Sequence, residues 1–369
     1  MESCISAIGI ANPANRIAQQ DIYHFMANAF GLDATNAARL KGIYDHSGID
    51  YRYSVIPDFG YRDAADFTFF EQSAGLEPFP DTQKRLKLYE KEAIAIAVNA
   101  AKSCLQKFGD DITGSITHLV TISCTGMHAP GIDIELVDRL QLNCDTERTC
   151  INFMGCYGAI NGLKVADYIC RADAGAKVLV VSVELCTLHF QKVNTLDNWV
   201  ANSLFSDGAA AVLVENTANR LGSGNYFLLK NFYSEFVTEA RNEMGWYVGN
   251  TGFEMKLTSK VSKQIKKHIK SLTQRFLQKA KTKMDDITAY AVHPGGRTIL
   301  EAVEDALELP EESNAFAYQV LQEYGNMSSA TILFVLDKML KAGNLVDQKI
   351  LSFAFGPGLT VEGMILEMH

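Results

Sequence analysis

Apolar runs and helical periodicities alternate along this chain, and that alternation predicts an α/β architecture. Leu86 to Phe108 carries a long Ala-rich apolar face and reads as a helix. His118 to Ser123 and Thr149 to Phe153 read as short apolar strands. The second runs into Gly155-Cys156-Tyr157-Gly158, and Ala159 to Ala172 then reads as a helix. Lys177 to Glu184 is continuous and β-branched, as in a strand buried on both faces. Ala209 to Glu215 and Asn225 to Phe236 are further strands. Val261, Ile265, Ile269, Leu272 and Phe276 recur at helical spacing, which predicts one long amphipathic helix from Lys256 to Met284. A strand at Ile287 to His293, helices at Arg297 to Leu307 and Ser328 to Lys341, and two closing strands complete the pattern. No short-period repeat, low-complexity tract or Pro-rich linker marks a domain boundary.

The 369 residues, 47% hydrophobic and 21% charged, suffice for two or three domains or for two halves of one large domain. A formal net charge of −9 gives no general attraction to phosphate backbones, so nucleic acid is not an expected partner. Apolar stretches such as Val178 to Val183 are far shorter than the ~20 residues of a spanning helix, so no membrane is expected. The N-terminus has an acid, Glu2, where a signal peptide has a base, and the expected location is the cytoplasm. Eight cysteines without a C-x-x-C pair predict free thiols, and scattered histidines give no metal-ligand spacing.

Four short segments carry candidate chemistry. Cys156 sits between glycines at a strand-to-helix turn. A helix N-terminus can lower a thiol pKa and make it nucleophilic; a packed cysteine at a structural turn is the other reading. His293 ends an apolar strand before Pro294-Gly295-Gly296, where it either activates a nucleophile or bonds within its turn. Asn326, in Gly325-Asn326-Met327-Ser328-Ser329, is either a helix cap or a neutral donor for an enolate. Phe355-Gly356-Pro357-Gly358-Leu359-Thr360 is either a plain turn or a loop of accessible N–H groups.

Taken together, these segments and Leu204-Phe205-Ser206-Asp207-Gly208-Ala209-Ala210 closely resemble the signature segments of the type III polyketide synthases, the chalcone synthase family. The resemblance includes Ala11-Asn12-Pro13-Ala14-Asn15 and runs over nearly the whole chain. It implies a thiolase-like, five-layer αβαβα fold with two similar halves, residues 1–217 and 218–369, in a homodimer. It implies that Cys156 takes an acyl starter from CoA as a thioester. His293 and Asn326 would hold malonyl-CoA and stabilise the enolate formed on loss of CO₂, with CoA thioesters as substrates and no cofactor. Phe205 and Phe253 match the family's gate phenylalanines.

Against the plant enzymes, the resemblance places Cys124, Thr125, Ala129, His189, Met244 and Ser328 at the substrate pocket. Ala129 replaces a methionine that reaches the partner's cavity, and Ala354 replaces a loop glycine. Cys124-Thr125 and Glu184-Leu185-Cys186 look more like bacterial members, many of which make alkylpyrones, alkylresorcinols or naphthalene-type products. His46 and Gly42 stand where basic CoA contacts are expected, which leaves Arg297 as a candidate. Gly356 and Gly358 are expected in the C-terminal loop of the site. From Met255 to Met284 there are ten Lys or Arg and no acid. That stretch is either a solvated helix face or a docking face for an acidic acyl carrier protein. Two alternatives remain: a ketoacyl synthase III performing one condensation, and a catalytically silent acyl-binding scaffold.

Overall fold

The computed structural model describes residues 2–73, 75–310 and 312–369, with Asp110 and Asp111 described in their backbone only. Among these residues the strands are β1 (Ser3–Ala11), β2 (Asn15–Ala18), β3 (Tyr51–Ser54), β4 (His118–Ser123), β5 (Glu147–Asn152), β6 (Lys177–Leu185) and β7 (Asp207–Asn216). They continue with β8 (Phe227–Phe236), β9 (Met244–Gly249), β10 (Gly252–Leu257), β11 (Ala289–Val292), β12 (Lys349–Gly356) and β13 (Thr360–Met368). The helices are α1 (Gln19–Ala29), α2 (Ala34–Asp45), α3 (Thr82–Leu105), α4 (Ile132–Leu140) and α5 (Gly158–Ala172). They continue with α6 (Leu196–Leu204), α7 (Val261–Ala280), α8 (Arg297–Leu307), α9 (Ala315–Tyr324) and α10 (Thr331–Ala342).

Nine strands form one mixed sheet in the order β11-β12-β13-β8-β1-β7-β6-β4-β5. On one side of the centre, β1 runs antiparallel to β7, β7 antiparallel to β6, and β6 and β4 parallel. On the other, β8 runs antiparallel to β13, β13 antiparallel to β12, and β12 and β11 parallel. The same strand plan is thus used twice. A short ladder between β1 and β8, Ser3↔Leu229 to Ile5↔Phe227, joins the two copies. This repeat is invisible along the chain because each copy needs only the same apolar pattern, not the same residues.

Both faces of the sheet's central strands are buried, and β7 shows why its sequence is continuously apolar. Ala210, Val212 and Val214 enter one core, while Ala209, Ala211 and Leu213 enter the other. Burying each Val or Leu side chain stabilises the fold by about 1.5–3 kcal/mol. The helix α3 covers one face of β1, β6 and β7 with Ala93, Ala97 and Ala100. Helix α5 packs on the other face, against β4, β6 and β7, and α10 lies against β1, β7 and β11. The buried ends of α5 and α10 carry the segments of interest from the two halves.

The predicted helix from Lys256 is shorter than its basic run. Lys256 and Leu257 belong to β10, which pairs in register with β9 from Gly252↔Gly249 to Leu257↔Met244. The helix begins at Val261 and ends at Ala280, with Lys281 left-handed at its cap. Residues 328–330 form a 3-10 turn ahead of α10 rather than its first turn. No helix among the described residues is long and apolar enough to cross a membrane.

Candidate active site

Cys156 is presented by a tight turn. Phe153 at φ 58° and Gly155 at φ 76° are both left-handed, which folds the chain back sharply between β5 and α5. A Cβ on Gly155 would lie 2.3 Å from Pro357 Cδ, so only glycine lets the C-terminal loop close on the turn. Gly158 lets α5 approach β4 and the 328–330 turn, where a Cβ would meet Ile122 Cγ2 at 2.9 Å. The Gly155 amide donates to Cys124 Sγ at 2.9 Å, which holds the turn from below.

Two cavities meet at this thiol. The first is lined by Cys156, Cys124, Thr125, His189 and Ser328, and it extends to Ile22 and Met26 of α1. The second is lined by Cys156, His293, Gly295, Asn326 and Phe355. Phe205, Met244 and Met255 line both, so they stand at the passage between them.

His293 is fully buried, and neither ring nitrogen has a hydrogen-bond partner among the described residues. Burial pushes its pKa down to about 3, so the ring is neutral. An unpaired buried polar group costs about 1–3 kcal/mol and is retained where a ligand or reaction uses it. Asn326 is held in one orientation. Its Oδ1 accepts from the Ser328 amide at 2.9 Å, and its Nδ2 donates to the Gly295 carbonyl at 3.1 Å. Its other amide hydrogen is available to Cys156. The backbone of Asn326 also bridges to that of Phe205, with its amide donating to the Leu204 carbonyl at 2.9 Å.

The expected lowering of the Cys156 pKa by the helix N-terminus is not what the structure supports. Burial pushes the thiol up to about 12, and the Glu184 carboxyl adds to the rise. Hydrogen bonds from Ser328, Asn326 and its own amide only partly offset this. Both shifts favour the neutral forms of the thiol and the imidazole. Cys124 and Cys186 also line the first cavity, and burial drives both thiols well above the ordinary range.

Glu184 is the residue that the sequence reading undervalued. It is fully buried, and its pKa is raised to about 7 by burial. The Cys124 amide (2.9 Å), Thr125 Oγ1 (2.8 Å) and the Ser329 hydroxyl donate to it and partly offset the rise. The available signal was a carboxylate ending an otherwise apolar buried strand. Arg52 was also missed. Its Nη1 donates to the carbonyls of Asn202 and Phe205, each at 2.8 Å, and its Nε donates to Gln19 Oε1 at 2.8 Å. It clamps the C-terminal end of α6 and with it the backbone of Phe205.

Other expected site residues lie elsewhere. Phe253 is on neither cavity wall. It stacks on His189 with centroids 4.2 Å apart, and its amide donates to His189 Nδ1 at 2.9 Å. His189 Nε2 in turn bonds the Thr125 carbonyl at 2.7 Å, so the ring is neutral, with a pKa of about 3. Ala129 is exposed and touches neither cavity, because it sits past the end of β4 in a surface loop. Gly356 packs on the Tyr157 ring and Gly358 turns the loop tip; their neighbours Phe355 and Pro357 reach the cavities instead. Arg297 is exposed and pairs with Glu301 at 2.8 Å, while Thr298 and Ile299 line the second cavity. The basic run of α7 is partly neutralised by neighbours: Lys266 pairs with Asp305, Lys270 with Glu308 and Arg275 with Glu235.

Comparison with known proteins matches this geometry to one family. Residues 2–218 match the model for chalcone and stilbene synthases, N-terminal domain, and residues 229–368 match that for the C-terminal domain. A putative chalcone synthase of Bacillus subtilis is 30% identical over 367 residues, covering 97% of this chain and 96% of that protein. A probable polyketide synthase 1 of Dictyostelium discoideum is 31% identical over 99% of this chain, which spans only 11% of that much longer relative. Among solved structures, the C-terminal type III polyketide synthase domain of Steely1, a type I/III hybrid from Dictyostelium, superposes with a TM-score of 0.90. It is 28% identical and covers 100% of this chain and 99% of that one. PKS-I from the brown alga Ectocarpus siliculosus gives 0.91 at 28% identity, over 100% and 98% of the two chains. With the whole thiolase-like core and both family domains matched, the chain belongs to the chalcone and stilbene synthase family, the type III polyketide synthases.

Proposed function

We propose that this chain is a CoA-dependent condensing enzyme that builds a polyketide on Cys156. The observation that carries this is the junction of two unlike cavities at one thiol, with His293 and Asn326 on one side only. In the first step the Cys156 proton moves to the neutral His293 ring and the sulfur attacks the acyl-CoA carbonyl. The bond from that carbonyl to CoA sulfur breaks, and the proton leaves with CoA. Malonyl-CoA then occupies the second cavity, its thioester oxygen facing His293 and the Asn326 amide. Loss of CO₂ leaves the electron pair as an enolate held by those two neutral donors, which stabilise it without protonating carbon. The enolate carbon attacks the acyl thioester and expels Cys156 thiolate, which takes the extended chain back for another round.

Iteration and cyclisation are part of the proposal, and CoA thioesters are its only co-substrates. A homodimer is also carried forward, supported by the exposed edge strand β5. An acyl carrier protein is a weaker candidate partner, because Lys266 and Lys270 already have acidic neighbours. Incubation with malonyl-CoA and a panel of acyl-CoA starters, followed by product mass spectrometry, tests the reading. Products with two or more extensions support it. Release of a single-extension product alone would favour the ketoacyl synthase alternative.

A further inference from the structure

Arg52 is a buried cation whose guanidinium is only partly used by the protein. It is 3% exposed, and from β3 it lines the first cavity with Ser54, Asn202 and Phe205. Its Nε donates to Gln19 Oε1, and its Nη1 donates to the carbonyls of Asn202 and Phe205, each at 2.8 Å. Its Nη2 has no partner among the described residues.

The groups around this charge are committed elsewhere. Asp207 is the carboxyl that acts on it, but the Asp207 oxygens accept from the Val55 amide and from the amide and hydroxyl of Thr187. The Tyr44 hydroxyl donates to the Asn202 carbonyl at 3.1 Å. Three hydrogen bonds fix the guanidinium plane, so the unpaired nitrogen is held ready rather than free to turn away. Ile22, Met26, Phe59 and Phe190 of the same cavity offer it no acceptor. A bare hydrocarbon chain would offer none either. Each condensation on Cys156, by contrast, adds one ketone oxygen to the chain. A ketone accepts a hydrogen bond from a buried cationic donor more strongly than from a neutral one.

We propose that Arg52 is a specificity-determining residue whose Nη2 binds a ketone oxygen of the growing chain. This rests on Cys156 being the acyl anchor and on extension from it. The first cavity then favours an extended chain over a bare acyl group of equal length.

The test compares acylation of Cys156 by hexanoyl-CoA, β-oxohexanoyl-CoA and δ-oxohexanoyl-CoA, read by intact-protein mass spectrometry. The chains have equal carbon number and differ in one oxygen. The intrinsic reactivity of each thioester cancels when its rate relative to hexanoyl-CoA is compared between wild type and Arg52→Met. That relative rate should fall roughly tenfold in the variant for one of the two oxo chains. Loosening of the Phe205 backbone would slow all three chains alike and leave the relative rates unchanged. Arg52→Lys keeps the charge and should recover part of the preference. A crystal structure of wild-type protein acylated with each oxo chain needs no variant. It should place one ketone oxygen about 2.7–3.2 Å from Nη2. Equal losses for all three chains, or ketone oxygens bonded elsewhere in both structures, overturn the role of Arg52 while leaving the condensing reading intact. Absence of acylation by every chain would instead remove the anchor itself.

Discussion

The two cavities that meet at Cys156 are built on opposite principles. In the first, the polar groups of Thr125, Thr187, His189 and Gln191 are bonded within the protein, one Arg52 nitrogen is left without a partner, and Ile22, Met26, Phe59 and Phe190 add hydrocarbon. In the second, His293 keeps two unpaired buried nitrogens, and Asn326 turns an amide hydrogen toward Cys156. A largely satisfied wall selects by shape. An unsatisfied wall stores about 1–3 kcal/mol per group, which a developing negative charge can recover. The difference separates holding from reacting, and the predictions below are arranged to break that separation.

The largest effect is expected at the shared thiol. Cys156→Ala should reduce product formation by more than about 10³-fold, as measured by malonyl-CoA consumption. On the reacting side, His293→Ala and Asn326→Ala should each lower kcat for condensation by about 10²–10³-fold. Asn326→Ala should still accept an acyl group on Cys156, which a mass shift in the absence of malonyl-CoA would reveal.

Glu184 supplies a pH test. Its raised pKa, about 7 against 4.5, means that the fold favours the protonated form. Stability from this group is present below pH 4.5 and is lost as pH rises toward 7. Glu184→Gln cannot ionise, so any loss from its altered hydrogen bonds is independent of pH. Relative to wild type it should gain about 1.4 kcal/mol per pH unit between pH 5 and 7, read by urea unfolding. Removing the charge should also shift thiol alkylation of Cys156 to lower pH, since Glu184 raises that thiol.

At the passage, Phe205→Ala should change the product distribution with a roughly tenfold or smaller loss of kcat, because the side chain borders both cavities without donating to either. The smallest effect is expected on the holding side. Cys186→Ala should alter kcat by less than about threefold, since a buried thiol pushed well above its ordinary range is a packed hydrophobe.

Much of this contrast was legible along the chain, for physical reasons. Cys156, His293 and Asn326 sit beside glycines and prolines that the backbone needs for tight turns, so chemistry and punctuation coincide in sequence. The strands β6 and β7 announced themselves by continuous apolar runs. The far wall was not legible. Ile22 and Met26 are ordinary helical apolar residues, and only tertiary packing shows that they face a void. Phe253 matched a motif but was drawn off the wall by its stack on His189, a contact between residues far apart in sequence. The thiol pKa was misjudged because a local helix end is visible in sequence, whereas burial and the Glu184 charge are not. The repeated strand plan was hidden because topology does not require repeated residues.

The central claim is that one thiol among the three lining the first cavity carries the acyl chain. Brief exposure of the protein to an acyl-CoA without malonyl-CoA, followed by intact-mass measurement and peptide mapping, tests it most directly. The account predicts one acyl group, on the peptide containing Cys156, and none on Cys156→Ala. An acyl group on Cys124 or Cys186, or no adduct at all, would contradict it.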